Sequence, residues 1–101
     1  MRNVILSADG DRIVYSVPDT VADNLDNYCI EFCDSWLHKS PYAEKYRIGG
    51  GVVWYNEADF IEYLNKWIFP NEPSRLVKNL EWIDFSNPLP KEYECCPWFN
   101  F

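Results

Sequence analysis

Apolar residues recur at the spacing of an amphipathic α-helix over residues 19–39. They fall at i, i+3, i+4 and i+7 without a gap: Val21, Leu25, Tyr28, Cys29, Phe32, Cys33, Trp36 and Leu37. Asp19 near the start and Lys39 near the end suit the helix dipole, and Ser40-Pro41 ends the segment. We predict one helix over 19–39 whose core residues are Leu25, Tyr28, Cys29, Phe32 and Trp36.

A second helical segment follows Asn56. This residue is the predicted N-cap, and Asp59 takes the place of the usual Glu of a capping box. The predicted apolar face consists of Phe60, Ile61, Leu64, Trp67 and Ile68. On the outside, Glu62 and Lys66 have the favourable order for an i, i+4 ion pair.

Shorter apolar runs predict the strands. Residues 4–6 and 13–17 flank Asp9-Gly10, and an Asp-Gly pair between two apolar runs is typical of a hairpin turn. Residues 52–55 and 80–85 are the third and fourth predicted strands.

The order of these elements, β-β-α-β-α-β, predicts an α+β fold. We expect a small, mainly antiparallel sheet with two amphipathic helices on one face, and one domain over the 101 residues. Leu76-Val77 fits either a strand or a turn of helix. Prolines at 88, 90 and 97 predict an irregular tail over 85–101, whose aromatic end is expected to lie on the domain or on a partner.

The chain carries 16 Asp and Glu residues against 9 Lys and Arg, a formal net charge of −7. This charge argues against nucleic-acid binding, which needs cations to neutralise phosphates, and against attraction to an anionic membrane. The apolar run at 3–8 is too short for a secretory signal or a membrane span. We therefore expect a cytoplasmic protein whose four cysteines are free thiols.

Few residues could carry catalysis. His38 is the only histidine, and it lies on the polar side of the predicted first helix, away from Cys29 and Cys33. The run Gly49-Gly50-Gly51 lacks the spacing and the Lys-Ser/Thr ending of a phosphate-binding loop. We therefore expect no catalytic site and no cofactor.

The cysteines are weak candidates for a metal site. Cys29 and Cys33 lie one helical turn apart, and with Cys95-Cys96 they could form a four-thiolate zinc site. Adjacent cysteines reach one tetrahedral centre poorly, and Cys29 lies in the apolar stripe, where Cys behaves as a small hydrophobic residue. We expect no metal, and keep a thiol-based redox or zinc function of Cys95-Cys96 as an alternative.

The clearest functional indication is the acidic side of the first helix. No Lys or Arg occurs between Ile13 and His38, whereas five acidic residues do: Asp19, Asp23, Asp26, Glu31 and Asp34. Ile30 lies among them, and an apolar residue ringed by carboxylates is typical of an interaction surface. We predict a non-catalytic protein-binding or regulatory module that contacts a basic partner or forms a homodimer. The predicted contact residues are Asp23, Asp26, Ile30, Asp34, Trp98 and Phe99.

Three alternatives remain open. The acidic residues can be ordinary helix surface, with Ile30 covered by a second buried layer. A protein that mimics DNA would also be small and acidic, but it needs carboxylates spaced like phosphates over a long surface. Because 18% of the residues are aromatic, a small-ligand pocket is the third alternative, lined by Trp54, Tyr55, Trp67 and Trp82.

Overall fold

The computed structural model describes residues 1–82 and 89–101 and has the predicted α+β architecture. Its strands are β1 Arg2–Ser7, β2 Asp11–Val17, β3 Arg47–Gly49, β4 Val52–Val53, β5 Arg75–Trp82 and β6 Trp98–Asn100. Its α-helices are α1 Asp19–Asp23, α2 Leu25–Ile30, α3 Leu37–Lys39 and α4 Glu57–Tyr63. Glu31–Trp36 and Leu64–Ile68 are π-helical, and Pro41–Tyr46 and Lys91–Tyr93 are 3₁₀-helical.

The main sheet has the strand order β5-β2-β1-β6. β1 and β2 form the predicted hairpin, with Leu6 opposite Ile13, and Gly10 in its turn has a φ of 98° that favours glycine. The β1–β2 and β2–β5 pairs are antiparallel and the β1–β6 pair is parallel, so the sheet is mainly antiparallel, as predicted.

Both faces of the two central strands are buried. Val4 and Leu6 point to the face that carries the helices, where Phe32 and Phe60 complete the main core. On the other face Ile5 packs in a smaller cluster with Val14, Tyr93, Leu80, Leu89 and Cys96. The helices therefore share one face, as predicted, and part of the C-terminal tail covers the other.

The prediction of one unbroken helix over 19–39 is wrong. Asn24 has a φ of −132° and a ψ of 38°, which separates α1 from α2, and the winding changes to π after Ile30. In a π-helix residues five apart share a side, and Phe32 and Leu37 are both fully buried. The predicted core is otherwise confirmed: Leu25, Cys29 and Phe32 are buried, while Tyr28 and Trp36 are partly buried against them.

The predicted start of the second helix is confirmed. The Asp59 N–H donates to Asn56 Oδ1 at 3.0 Å, and the Asn56 N–H donates to Asp59 Oδ2 at 2.9 Å. The ion pair is also present, with Lys66 Nζ lying 2.7 Å from Glu62 Oε1.

The end of this helix departs from the prediction. Phe60, Ile61 and Leu64 are buried, but Trp67 and Ile68 are exposed. The winding becomes π-helical at Leu64, which turns the last residues away from the face that an α-helix would bury. None of the helices in the described ranges is long and apolar enough to cross a bilayer.

The later strands differ from their predicted bounds. Val52–Val53 pairs with Arg47–Gly49 in a separate two-stranded sheet, and residues 54–55 are outside it. The fourth predicted strand begins earlier, as Arg75–Trp82, and its predicted last residues 83–85 lie outside the described part of the chain.

The prediction of an irregular tail is wrong at its end, where Trp98–Asn100 pairs with β1. The Ile5 N–H donates to the Pro97 carbonyl at 2.8 Å, and the Phe101 N–H donates to the Ser7 carbonyl at 2.8 Å. Proline lacks only the donor, so Pro97 can still accept a sheet hydrogen bond at the start of an edge strand.

Candidate functional site

The outer side of α2 and the π-helical segment after it forms a surface that we call the acidic ridge, made of Asp26, Ile30, Glu31 and Asp34. All four side chains are exposed, and Ile30 keeps 47% of its accessible surface. Ile30 is four residues from both Asp26 and Asp34 and adjacent to Glu31, so carboxylates flank it along the helix. The sequence pattern alone predicts this arrangement.

Two other acidic residues of the segment are neutralised by cations from β1 and its lead-in. Arg2 Nη1 forms a hydrogen-bonded ion pair with Asp23 Oδ1. The Met1 amino group lies 3.1 Å from Asp19 Oδ1. A count of charges along the helix misses both pairs, because their cations are distant in sequence. The acidic character therefore concentrates on the ridge.

The ridge carboxylates have no such partners. Within residues 1–82 and 89–101, no Lys, Arg or His forms an ion pair with Asp26, Glu31 or Asp34. Residues 83–88 contain no Lys, Arg or His. Three carboxylates around one exposed Ile are therefore free to meet cations from outside the chain.

A groove of about 460 Å³ lies beside the ridge, between the α1–α2 junction and β6. Its lining residues are Ala22, Asp23, Asn24, Leu25, Asp26, Asn27, Pro97 and Trp98. Three of the predicted contact residues, Asp23, Asp26 and Trp98, therefore line the same groove. The Arg12 guanidinium lies 4.4 Å from the centroid of the Trp98 ring, and Trp98 pairs with Ile5, whose side chain lies on the sheet face opposite the helices.

A second groove, of about 380 Å³, lies next to Glu31. It is lined by Asn27, Tyr28, Glu31, Tyr63 and Ile68, so the π-helical end of the second helix supplies its far wall. The exposure of Ile68, which the sequence did not predict, gives this groove an apolar rim.

Phe99 lies apart from the other predicted contact residues. Its ring packs against Phe101 at 4.9 Å between centroids and contacts the main core. In the register of β6, Phe99 pairs with Leu6, whose side chain points to the helical face. Phe99 therefore serves packing, while Trp98 beside it lines the groove.

The sheet separates the two pairs of cysteines. Cys29 is buried in the core of the helical face with Cys33 at its border, whereas Cys96 packs on the opposite face. A four-thiolate site built from both pairs is incompatible with this placement. Among the described residues, no group of three or more potential ligands is arranged to hold a metal ion.

The thiols differ in their burial. Burial raises the pKa of the Cys29 thiol, and the nearby Cys33 and Asp26 raise it further, so Cys29 stays protonated. Burial also raises the pKa of Cys96, with a further increase from Cys95 and a decrease from Arg2. The exposed Cys95 is the accessible thiol of the tail pair.

The four residues of the suggested aromatic pocket have different surroundings. Trp54 and Trp82 are exposed, and Trp67 stacks on the exposed Tyr42 ring at 4.3 Å between centroids. Tyr55 contacts the core instead, with its ring 5.5 Å from that of Phe32. The lone histidine, His38, is exposed at the C-terminal end of α3, on the polar side as predicted.

Sequence reasoning missed two features. The hairpin of β3 and β4 exposes three apolar side chains, Ile48, Val52 and Trp54. The signal available in the sequence was the stretch 45–56, which has two cations and no acidic residue in an acidic chain. The other feature is Glu57, a buried carboxylate at the start of α4 whose Oε2 atom has no hydrogen-bond partner among the described residues.

Comparison with protein-family models, with curated proteins and with solved structures found no match to this chain.

Proposed function

We propose that this protein is a non-catalytic binding module that contacts a basic surface of a protein partner through the acidic ridge. The observation that carries the proposal is the set of three unpaired carboxylates around the half-exposed Ile30. A partner that brings Lys or Arg to this surface gains Coulomb energy without first breaking an ion pair within the chain. Burying Ile30 at the centre adds apolar contact to the charged contacts.

The surroundings of the ridge support the same function. Grooves of about 460 Å³ and 380 Å³ adjoin it, the first lined by Asp26 and the second by Glu31, so a partner can contact more than the convex helix surface. Asn24 and Asn27 line the first groove and offer amide donors and acceptors beside the carboxylate of Asp26. An apolar centre with a polar rim is the usual anatomy of a protein interface.

The test begins with partners enriched from the native cells by the tagged chain. The most enriched protein is purified, and its dissociation constant is measured by calorimetry for the wild type and for Asp26→Lys/Asp34→Lys. The matched control is Glu72→Lys/Glu92→Lys, which makes the same charge change at two exposed residues away from the ridge.

We expect the ridge variant to bind at least about tenfold more weakly, which corresponds to about 1.4 kcal/mol. The control variant should bind like the wild type, and added salt should weaken the wild-type complex because the contact is charged. Equal affinity of the ridge and control variants would show that the ridge is ordinary helix surface.

A further inference from the structure

The hairpin formed by residues 47–53 has one buried side and one apolar exposed side. Val53 and the following Tyr55 contact the core, and Arg47 donates from Nη1 to the carbonyls of Leu37 and Ser40 at 3.0 and 2.9 Å. The alternate side chains point outward: Ile48, Val52 and Trp54 keep 61%, 53% and 76% of their accessible surface. A sheet face of branched and aromatic side chains in water is typical of a contact surface.

The charge around this hairpin is opposite to that of the ridge. Residues 37–56 carry three cations and a single acidic residue, in a chain of net charge −7. The Arg47 contacts hold the end of α3 against β3, which places Lys39 near the hairpin. Lys39 and Lys45 are both exposed, and Lys45 Nζ lies 4.0 Å from Glu62 Oε2. The hairpin is therefore an apolar surface with a cationic border, which complements an Ile with an acidic border.

The two surfaces adjoin. The Tyr55 ring lies 5.5 Å from the ring of Phe32, which belongs to the same π-helical segment as Asp34. The residue after Trp54 therefore packs against the helical segment that carries Asp34. When two complementary surfaces lie side by side, a two-fold axis can pair each with the other and close the assembly.

We infer that the acidic ridge binds a second copy of this chain, whose β3–β4 hairpin places Val52 and Trp54 against Ile30 and Lys39 and Lys45 against Asp34 and Glu31. This rests on the proposed function and names its partner. Pairing two hairpins would oppose Lys45 to Lys45, and pairing two ridges would oppose carboxylates to carboxylates. The reciprocal pairing avoids both repulsions and forms the same contact twice.

The test is a charge exchange followed by sedimentation equilibrium of the full chain. One variant is Glu31→Lys/Asp34→Lys and the other is Lys39→Glu/Lys45→Glu. A dimer of either variant alone has like charges opposed in both contacts. We therefore expect its dissociation constant to be at least about tenfold higher than that of the wild-type dimer. In an equimolar mixture, one contact is native and the other has its charges exchanged, so the mixture should recover the dimer.

A third variant, Val52→Ser/Trp54→Ala, removes the apolar part without changing charge, and it should also be monomeric with an unchanged circular dichroism spectrum. A monomeric wild type at its highest soluble concentration overturns the dimer, as does a mixture that stays monomeric. A dimer that survives in both charge variants shows a different interface and equally overturns it. If the wild type is monomeric while its ridge still binds another purified protein, the dimer fails and the proposed function stands.

Discussion

Replacing Phe32 by Ala tests the packing of the main core. Its ring contacts helix α4, the residue Tyr55 that follows the β3–β4 hairpin, and Phe101 after β6. Phe32 is fully buried, and its ring centroid lies 5.1 Å from Tyr63 and 5.5 Å from both Phe60 and Tyr55. Phe101 adds a contact at 6.2 Å. The cavity is thus lined by rings from three separate segments, which cannot all move into the space.

The expected cost is therefore at the upper end of the range for Phe→Ala, about 5 kcal/mol. That is comparable with the whole stability of a domain of this size, for which about 5–15 kcal/mol is typical. At 4–8 °C per kcal/mol, the melting temperature should fall by about 20–40 °C. Phe32→Leu keeps most of the volume and should cost about 1.5 kcal/mol.

The assay is urea unfolding followed by circular dichroism, with Leu76→Ala as the control. Leu76 is an exposed apolar residue on β5, so its truncation should change the free energy of unfolding by less than about 0.5 kcal/mol. The claim that this ring organises the core would be refuted if Phe32→Ala lowered the free energy of unfolding by less than about 1.5 kcal/mol while the slope of that free energy against urea concentration stayed unchanged.

Three further predictions follow from single contacts. Asn56→Ala removes the acceptor of the Asp59 N–H and should cost about 1 kcal/mol in urea unfolding, whereas an unchanged midpoint would mean that the capping box contributes nothing. Burial raises the pKa of the Glu57 carboxyl and the nearby acidic residues raise it further, so the native state retains a proton that the unfolded chain releases near pH 4.5. Wild-type stability relative to Glu57→Gln should therefore decline as pH rises above 4.5, and a constant difference from pH 4 to 8 would contradict this. Gly10→Ala places a Cβ 2.5 Å from the Trp82 ring at a φ of 98° and should cost about 1–2 kcal/mol in the same assay, while Gly50→Ala, with open space around it, serves as the comparison.

The sequence predicted the elements whose evidence is local. The apolar period of residues 19–39, the capping residues Asn56 and Asp59, and the Asp9-Gly10 turn each depend on neighbours in the chain. The capping residues and the turn led to the correct element in the correct place, whereas the period of residues 19–39 predicted helical structure but missed the break at Asn24 and the π winding. The ridge itself was predictable for the same reason, since Asp26, Ile30 and Asp34 are spaced by one helical turn.

What the sequence could not predict depends on contacts between distant residues. The apolar spacing does not indicate the π winding at 31–36 and 64–68, and Trp67 and Ile68, which it assigns to the buried face, are exposed. The pairing of β6 with β1 joins the two ends of the chain. The ion pair between Arg2 and Asp23 also crosses from one element to another, which removed Asp23 from the free acidic surface.

The central claim is that the ridge is the contact surface, and a photo-crosslinking residue at position 30 tests it most directly in the native cells. We expect Ile30→benzoylphenylalanine to form a crosslink to a defined basic segment of a protein, which includes the hairpin of a second copy. The same residue at the exposed Leu76 should not capture that segment. Adding Asp26→Lys/Asp34→Lys should abolish the crosslink while the melting temperature stays the same. No crosslink from position 30, or a crosslink that persists in the charge variant, would contradict the account.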